Sequence, residues 1–243
     1  MAEIVNKVEV NGNKVGVFGR VHEGSFENIS RDIATDASAG AAPLDLEEII
    51  MAAEAAKQRF DLDLVVLCVH WGIQDTHNHT SDINKIANAI VKESDVDIIL
   101  GSHSHCIQGI TSSHNKVICY GQGNFYFYPQ ILDDGILYAE GKDLNRTSLV
   151  TKVNFDCNTK NVTVEARVVI QNKANVVVFI DAKKEAKYLA LVFGKWKEYR
   201  PVAMYFEYRL RALTLDVYKL ALVFRNPTVR YRFVQLYQMD LIQ

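Results

Sequence analysis

At 243 residues, 49% hydrophobic and 23% charged, the chain has the composition of a soluble globular protein with a real core. A net charge of −2 argues against a nucleic-acid binder, and no run of about 18 apolar residues marks a membrane span. Four cysteines without a C-x-x-C pair, with Cys68 inside an apolar run, point to free buried thiols rather than a disulfide framework.

Met1-Ala2-Glu3 leads into a polar strand pattern and not into a signal-peptide pattern. Residues 7–18 (KVEVNGNKVGVF) alternate around Asn11-Gly12, which predicts a hairpin. Residues 20–42 are rich in Gly, Ser, Ala and Asp and read as a long loop near the functional rim, whose His22 is either a fourth ligand or, as is usual for a lone loop histidine, solvated. Asp45 with Glu48 three later opens a helix from 46 to about 60, buried along Ile49, Ile50, Ala53 and Ala56.

The next two strands organise the chain. The uncharged run 64–69 ends in His70-Trp71-Gly72, and the run 97–100 ends in Gly101-Ser102-His103-Ser104-His105. Runs of this kind read as strands buried on both faces. Between them 81–93 (SDINKIANAIVKE) carries Ile83, Ile86, Ala87 and Ile90 at helical spacing, with Thr80 or Ser81 as N-cap. Strand, helix and strand make a right-handed βαβ unit whose strands are parallel, so His70 and His103 leave the sheet at one edge. That carboxyl edge is where open α/β sheets bind ligands. In extended backbone the rings of His103 and His105 would point to one side. The expectation is three imidazoles at one rim, a metal-site geometry. His77 and His79 form a second H-x-H, read as a solvated loop before the helix.

Residues 106–110 and 116–120 read as strands joined by 111–115, with His114 solvated at the tip. Gly121, Gly123 and Asn124 form a tight loop, fit either to bring backbone near a ligand or simply to turn the chain. Residues 125–131 (FYFYPQI) are either a cleft wall or a core edge. Residues 148–156 and 161–170 alternate around Asn158-Thr159-Lys160, an antiparallel hairpin. From 183 to 243 twelve Lys/Arg face five Asp/Glu, about +7, leaving about −9 on the rest. Helices are expected over 183–199 and 202–224, broken at Pro201, either covering a sheet face or touching an acidic polymer or membrane surface.

In three places this wording resembles a family. His70-Trp71-Gly72, Gly101-Ser102-His103-Ser104-His105 and Gly121-Gln122-Gly123-Asn124-Phe125, each after an apolar run, are similar to the HWG-x-E, G-H-H-P-H and S-L-G-N-F segments of CapA-type proteins of capsule and poly-γ-glutamate synthesis. The resemblance covers about residues 7–170. It implies a partial calcineurin-like metallophosphoesterase fold, an α/β sandwich with a mixed sheet, over residues 1–172; it does not reach 173–243, whose charge and pattern read as a basic, mostly helical appendage. It implies that His70 and His103 share one divalent ion (Mn, Fe or Zn) and that His105 serves its neighbour. Trp71, Gly123 and Asn124 become candidates for substrate contact, and an anionic polymer or phosphoester is the implied ligand.

The resemblance also implies ligands that do not precede His70 here: an aspartate-bearing G-D, a bridging acid and an N-N-H segment. Gln74 and Ser102 stand where the family carries charge or imidazole. The chain is thus expected to represent the C-terminal half of such a domain, holding one ion weakly or none, with unpaired sheet edges that favour homo-oligomers. The alternative is a catalytically silent module that binds an anionic polymer. The compartment is left open, since the resembled family is often membrane-anchored.

Overall fold

The chain begins its sheet with the predicted hairpin: β1 (Asn6–Val10) pairs antiparallel with β2 (Asn13–Val21) through Val10 and Asn13. Asn11 and Gly12 both take positive φ, 51° and 79°, the requirement of a two-residue turn matched to strand twist. The computed structural model describes residues 6–23, 33–35, 38–127, 130–131, 137–139, 143–194 and 196. The helix expected over 202–224 lies outside them. By its internal contacts the chain divides into Met1–Tyr199 and Arg200–Gln243, and the first unit is the one described below.

α1 (Leu46–Phe60) and α2 (Ser81–Glu93) form where the apolar spacing placed them. Asp45 caps α1 by accepting the Glu48 N–H, and Thr80 caps α2 by accepting the Ile83 N–H. Between and after them run β3 (Leu64–His70), β4 (Ile98–Ser102), β5 (Ile110–Ser113) and β6 (Lys116–Cys119). The sheet order is β1-β2-β3-β4-β6-β5, with β2, β3, β4 and β6 parallel and the outer strands antiparallel. This is the expected α/β class with a mixed sheet.

Both helices cover one face of that sheet. Ile49, Ala53, Ile83, Ala87 and Ile90 pack there on Val65, Leu67, Val69, Ile99 and Ile118. Leu64, Ile98, Val117 and Cys119 fill the other face, against Leu149, Val162, Ala166 and Val168 of a second sheet. Its strands are β9 (Thr147–Asp156), β10 (Asn161–Gln171) and β11 (Val177–Phe179), in the order β11-β10-β9, following the short pair β7 (Gln130–Ile131) and β8 (Leu137–Ala139). α3 (Ala182–Val192) adds Val192 to this second core, with Tyr188 and Leu189 packed against it. Among the described residues no helix is long and apolar enough to cross a membrane.

Three expectations are corrected. Cys68 is exposed, in the wall of an open groove beside Gly19, His70 and Ser102. The hairpin after His105 uses β5 from Ile110 to Ser113 and a two-residue turn, His114-Asn115, both at positive φ, in place of a strand ending at 110 and a five-residue loop. The H-x-H segment is not extended. β4 ends at Ser102, and His103 and His105 take left-handed φ of 84° and 55°.

Candidate metal centre

Parallel pairing sets His70 opposite Ser102, so the residue after Ser102 emerges beside the His70 ring. The rings of His70 and His103 lie 4.5 Å apart, centroid to centroid, tilted by 52°. His70 is half-buried, and burial lowers its pKa, with the nearby charge of His105 as the second cause. At neutral pH this imidazole is therefore a neutral lone-pair donor and not a cation. The Ser102 hydroxyl donates to the Val69 carbonyl at 2.9 Å and turns its lone pairs to His70 Nδ1 at 3.5 Å, the outer limit of a hydrogen bond.

His105 is reached by a different route. Its Nδ1 lies 2.8 Å from Oδ1 of Asn124, whose amide nitrogen donates to the Asn145 carbonyl at 3.0 Å. Phe127 meets the His105 ring edge-on at 5.7 Å. Phe125 and Tyr126, next to it in the chain, are exposed. His22 joins the rim through its backbone, donating to the His70 carbonyl at 2.9 Å. A shallow groove of about 370 Å³ leads to His70, walled by Gly19, Ala41, Ala42, Cys68 and Ser102.

Two of the substrate-contact candidates are corrected. Trp71 is 1% exposed and spends its indole N–H on the Tyr120 carbonyl at 2.8 Å, so it is core. Gly123, at φ 73°, does bring backbone close, but to β9: an added Cβ would strike the Thr147 carbonyl, and Gly123 bridges to Ser148. Nor is the second H-x-H solvated. His77 Nδ1 meets the Ile107 carbonyl at 2.8 Å, and its ring stacks on Trp196 at 4.4 Å; His79 is 2% exposed. His114 does sit exposed at its turn tip.

Sequence reading missed Asp75 and Asn145. Asn145 donates from its side-chain amide to the Asp75 carboxylate at 2.7 Å, and the Asp75 N–H donates to the Ser104 carbonyl at 2.7 Å. The signal was the acid one place after Gln74, hidden because the family wording puts it at 74.

Burial keeps His70 neutral, and that fits an imidazole-binding divalent ion. Number does not: among the described residues no group of three or more His, Cys, Asp or Glu is placed to hold a metal ion.

Strand ends, imidazole pair and amide-held third histidine together define an α/β protein with a histidine-rich rim. The chain belongs to the bacterial capsule synthesis protein PGA_cap family, which it matches over residues 2–129, a stretch containing His70, His103, His105 and Asn124. It is 36% identical over 89 residues to the PGA biosynthesis protein CapA of Bacillus subtilis (strain 168), covering 36% of this chain and 22% of that protein. It is 29% identical over 120 residues to the capsule biosynthesis protein CapA of Bacillus anthracis, covering 49% of this chain and 28% of that one. The matched stretch is thus under a third of either relative. Among solved structures, a hypothetical protein from Thermus thermophilus aligns at 15% identity and TM-score 0.43, over 68% of this chain and 60% of that one. NAD nucleotidase (NadN) of Haemophilus influenzae aligns at 14% identity and TM-score 0.34, over 76% and 32%.

Proposed function

We propose that the chain serves capsule or poly-γ-glutamate synthesis through a divalent-metal site of metallophosphoesterase type. His70 and His103 would hold one ion and His105 its neighbour, with Mn, Fe or Zn as the metals suited to imidazole. Carboxylate ligands would come from outside the described residues. Such an ion, when bound, acts as a Lewis acid and activates water toward a phosphoester. The chain's own part is to keep His70 neutral and to place the imidazoles at the rim. The observation that carries this reading is the His70–His103 ring pair at 4.5 Å, with burial holding His70 neutral. A neutral imidazole such as His70 offers a cation the lone pair of one ring nitrogen.

A second reading is favoured by the lack, among the described residues, of a group of three or more side chains placed to hold a metal: a catalytically silent module that binds an anionic polymer. Elemental analysis of purified protein separates the two. The metal reading expects Mn, Fe or Zn in the wild type, lost from a His103→Ala/His105→Ala double variant, and Mn²⁺-dependent hydrolysis of an aryl phosphate. Equal, negligible metal in both proteins, with salt-sensitive binding to poly-γ-glutamate, would establish the silent module instead.

A further inference from the structure

We infer that Asn124 is a positioning residue for His105, fixing the ring as its Nδ1–H tautomer so that the lone pair is on Nε2. The assignment follows from what each neighbouring group can donate. The amide nitrogen of Asn124 is committed to the Asn145 carbonyl at 3.0 Å, so the atom facing His105 Nδ1 at 2.8 Å is the amide oxygen. A carboxamide oxygen only accepts, and Nδ1 must therefore carry the proton. With Nε2–H instead, two lone pairs would face each other at hydrogen-bond distance.

The amide cannot simply turn over to suit the other tautomer, because its nitrogen meets the main-chain carbonyl of Asn145, which only accepts. Asn145 donates its own side-chain nitrogen to the Asp75 carboxylate at 2.7 Å, which acts only as an acceptor when ionised. Its Oδ1 is 3.6 Å from the Cys106 thiol, a weak donor. The Asp75 N–H returns to Ser104, beside His105, at 2.7 Å. The hydrogen bonds thus form a circuit that starts and ends on the H-x-H turn, and each amide in it has one orientation. The same ties account for His105 at φ 55°, a conformation that persists in a residue with a Cβ only where its surroundings over-determine it. Ligating histidines commonly have the far ring nitrogen oriented by such a partner.

The tautomer stands apart from the metal reading; only the use of the Nε2 lone pair rests on it. The test is a long-range ¹H–¹⁵N spectrum of full-length, metal-free protein with ¹⁵N-labelled histidine. His105 should show the Nδ1–H pattern, against the Nε2–H preference of free histidine. Asn124→Leu should lose that pattern, and Asn124→Asp, which keeps an acceptor on Nδ1, should restore it. A wild-type His105 protonated on Nε2, or an Asn124→Leu protein that keeps Nδ1–H, would overturn the assignment. The wild-type spectrum decides even where the leucine variant fails to fold. Titration with Zn²⁺ adds a second reading, with affinity expected to fall about 10- to 100-fold in Asn124→Leu. An Nδ1–H wild type that takes up no Zn²⁺ supports the positioning role and overturns the metal site.

Discussion

The imidazole of His79 lies flat on the ring of Tyr120, with centroids 3.7 Å apart and planes 4° from parallel. Burial pushes the His79 pKa down from 6.5 to about 4, against a smaller opposing hydrogen bond from Asn84. Between those two values the unfolded chain binds a proton that the folded chain refuses. The stabilisation is therefore complete above pH 6.5 and is lost as pH falls toward 4, by about 3 kcal/mol at the limit. The burial of His70 adds in the same direction. Urea midpoints measured from pH 7 to 4.5 should fall accordingly, and His79→Phe, which can keep the stack, should flatten the slope. An unchanged slope in that variant would assign the acid sensitivity elsewhere.

Gly101 is required by crowding. A Cβ there would land on the Tyr120 carbonyl and on the indole nitrogen of Trp71, the two groups that hydrogen-bond to each other. Gly101→Ala must break that bond or push β4 from its neighbours, at an expected cost above about 2 kcal/mol. Chemical unfolding measures it, and a variant as stable as the wild type would mean the sheet yields there.

Trp71→Phe separates packing from ligand contact. The ring remains, but the Tyr120 carbonyl loses its buried donor, which costs about 1–3 kcal/mol. The melting temperature should drop while Zn²⁺ uptake stays as in the wild type. Weakened uptake at unchanged stability would return Trp71 to the rim.

Trp196 is held by a parallel stack on His77, 4.4 Å between centroids and 7° between planes, and by the edge of Tyr188 at 6.3 Å. His77→Ala removes the larger contact. Trp196 fluorescence should shift to the red and become more open to acrylamide, with buried Trp71 as the internal reference. Identical quenching in both proteins would count against the stack.

The β3–α2–β4 unit was legible because its signals are local: apolar runs of strand length, a helical period and Thr80 as cap. The same logic placed α1 and both hairpins whose turns carry their own signature, Asn11-Gly12 and Asn158-Thr159-Lys160. Cys68 misled for a definable reason. An uncharged strand looks buried on both faces, yet at Cys68 one face opens on the groove beside Gly19, His70 and Ser102. His77 and His79 misled likewise, since the stacking partners Trp196 and Tyr120 are distant in sequence.

At the rim, sequence alone determined that His70 and His103 would meet. Parallel strands in register carry equivalent ends to the same edge, whatever follows them. It could not determine the set of the H-x-H turn, the burial of Trp71, or the hold of Asn124 on His105. Those depend on contacts between segments 19 to 70 residues apart, which exist only once both sheets and the intervening loops have packed.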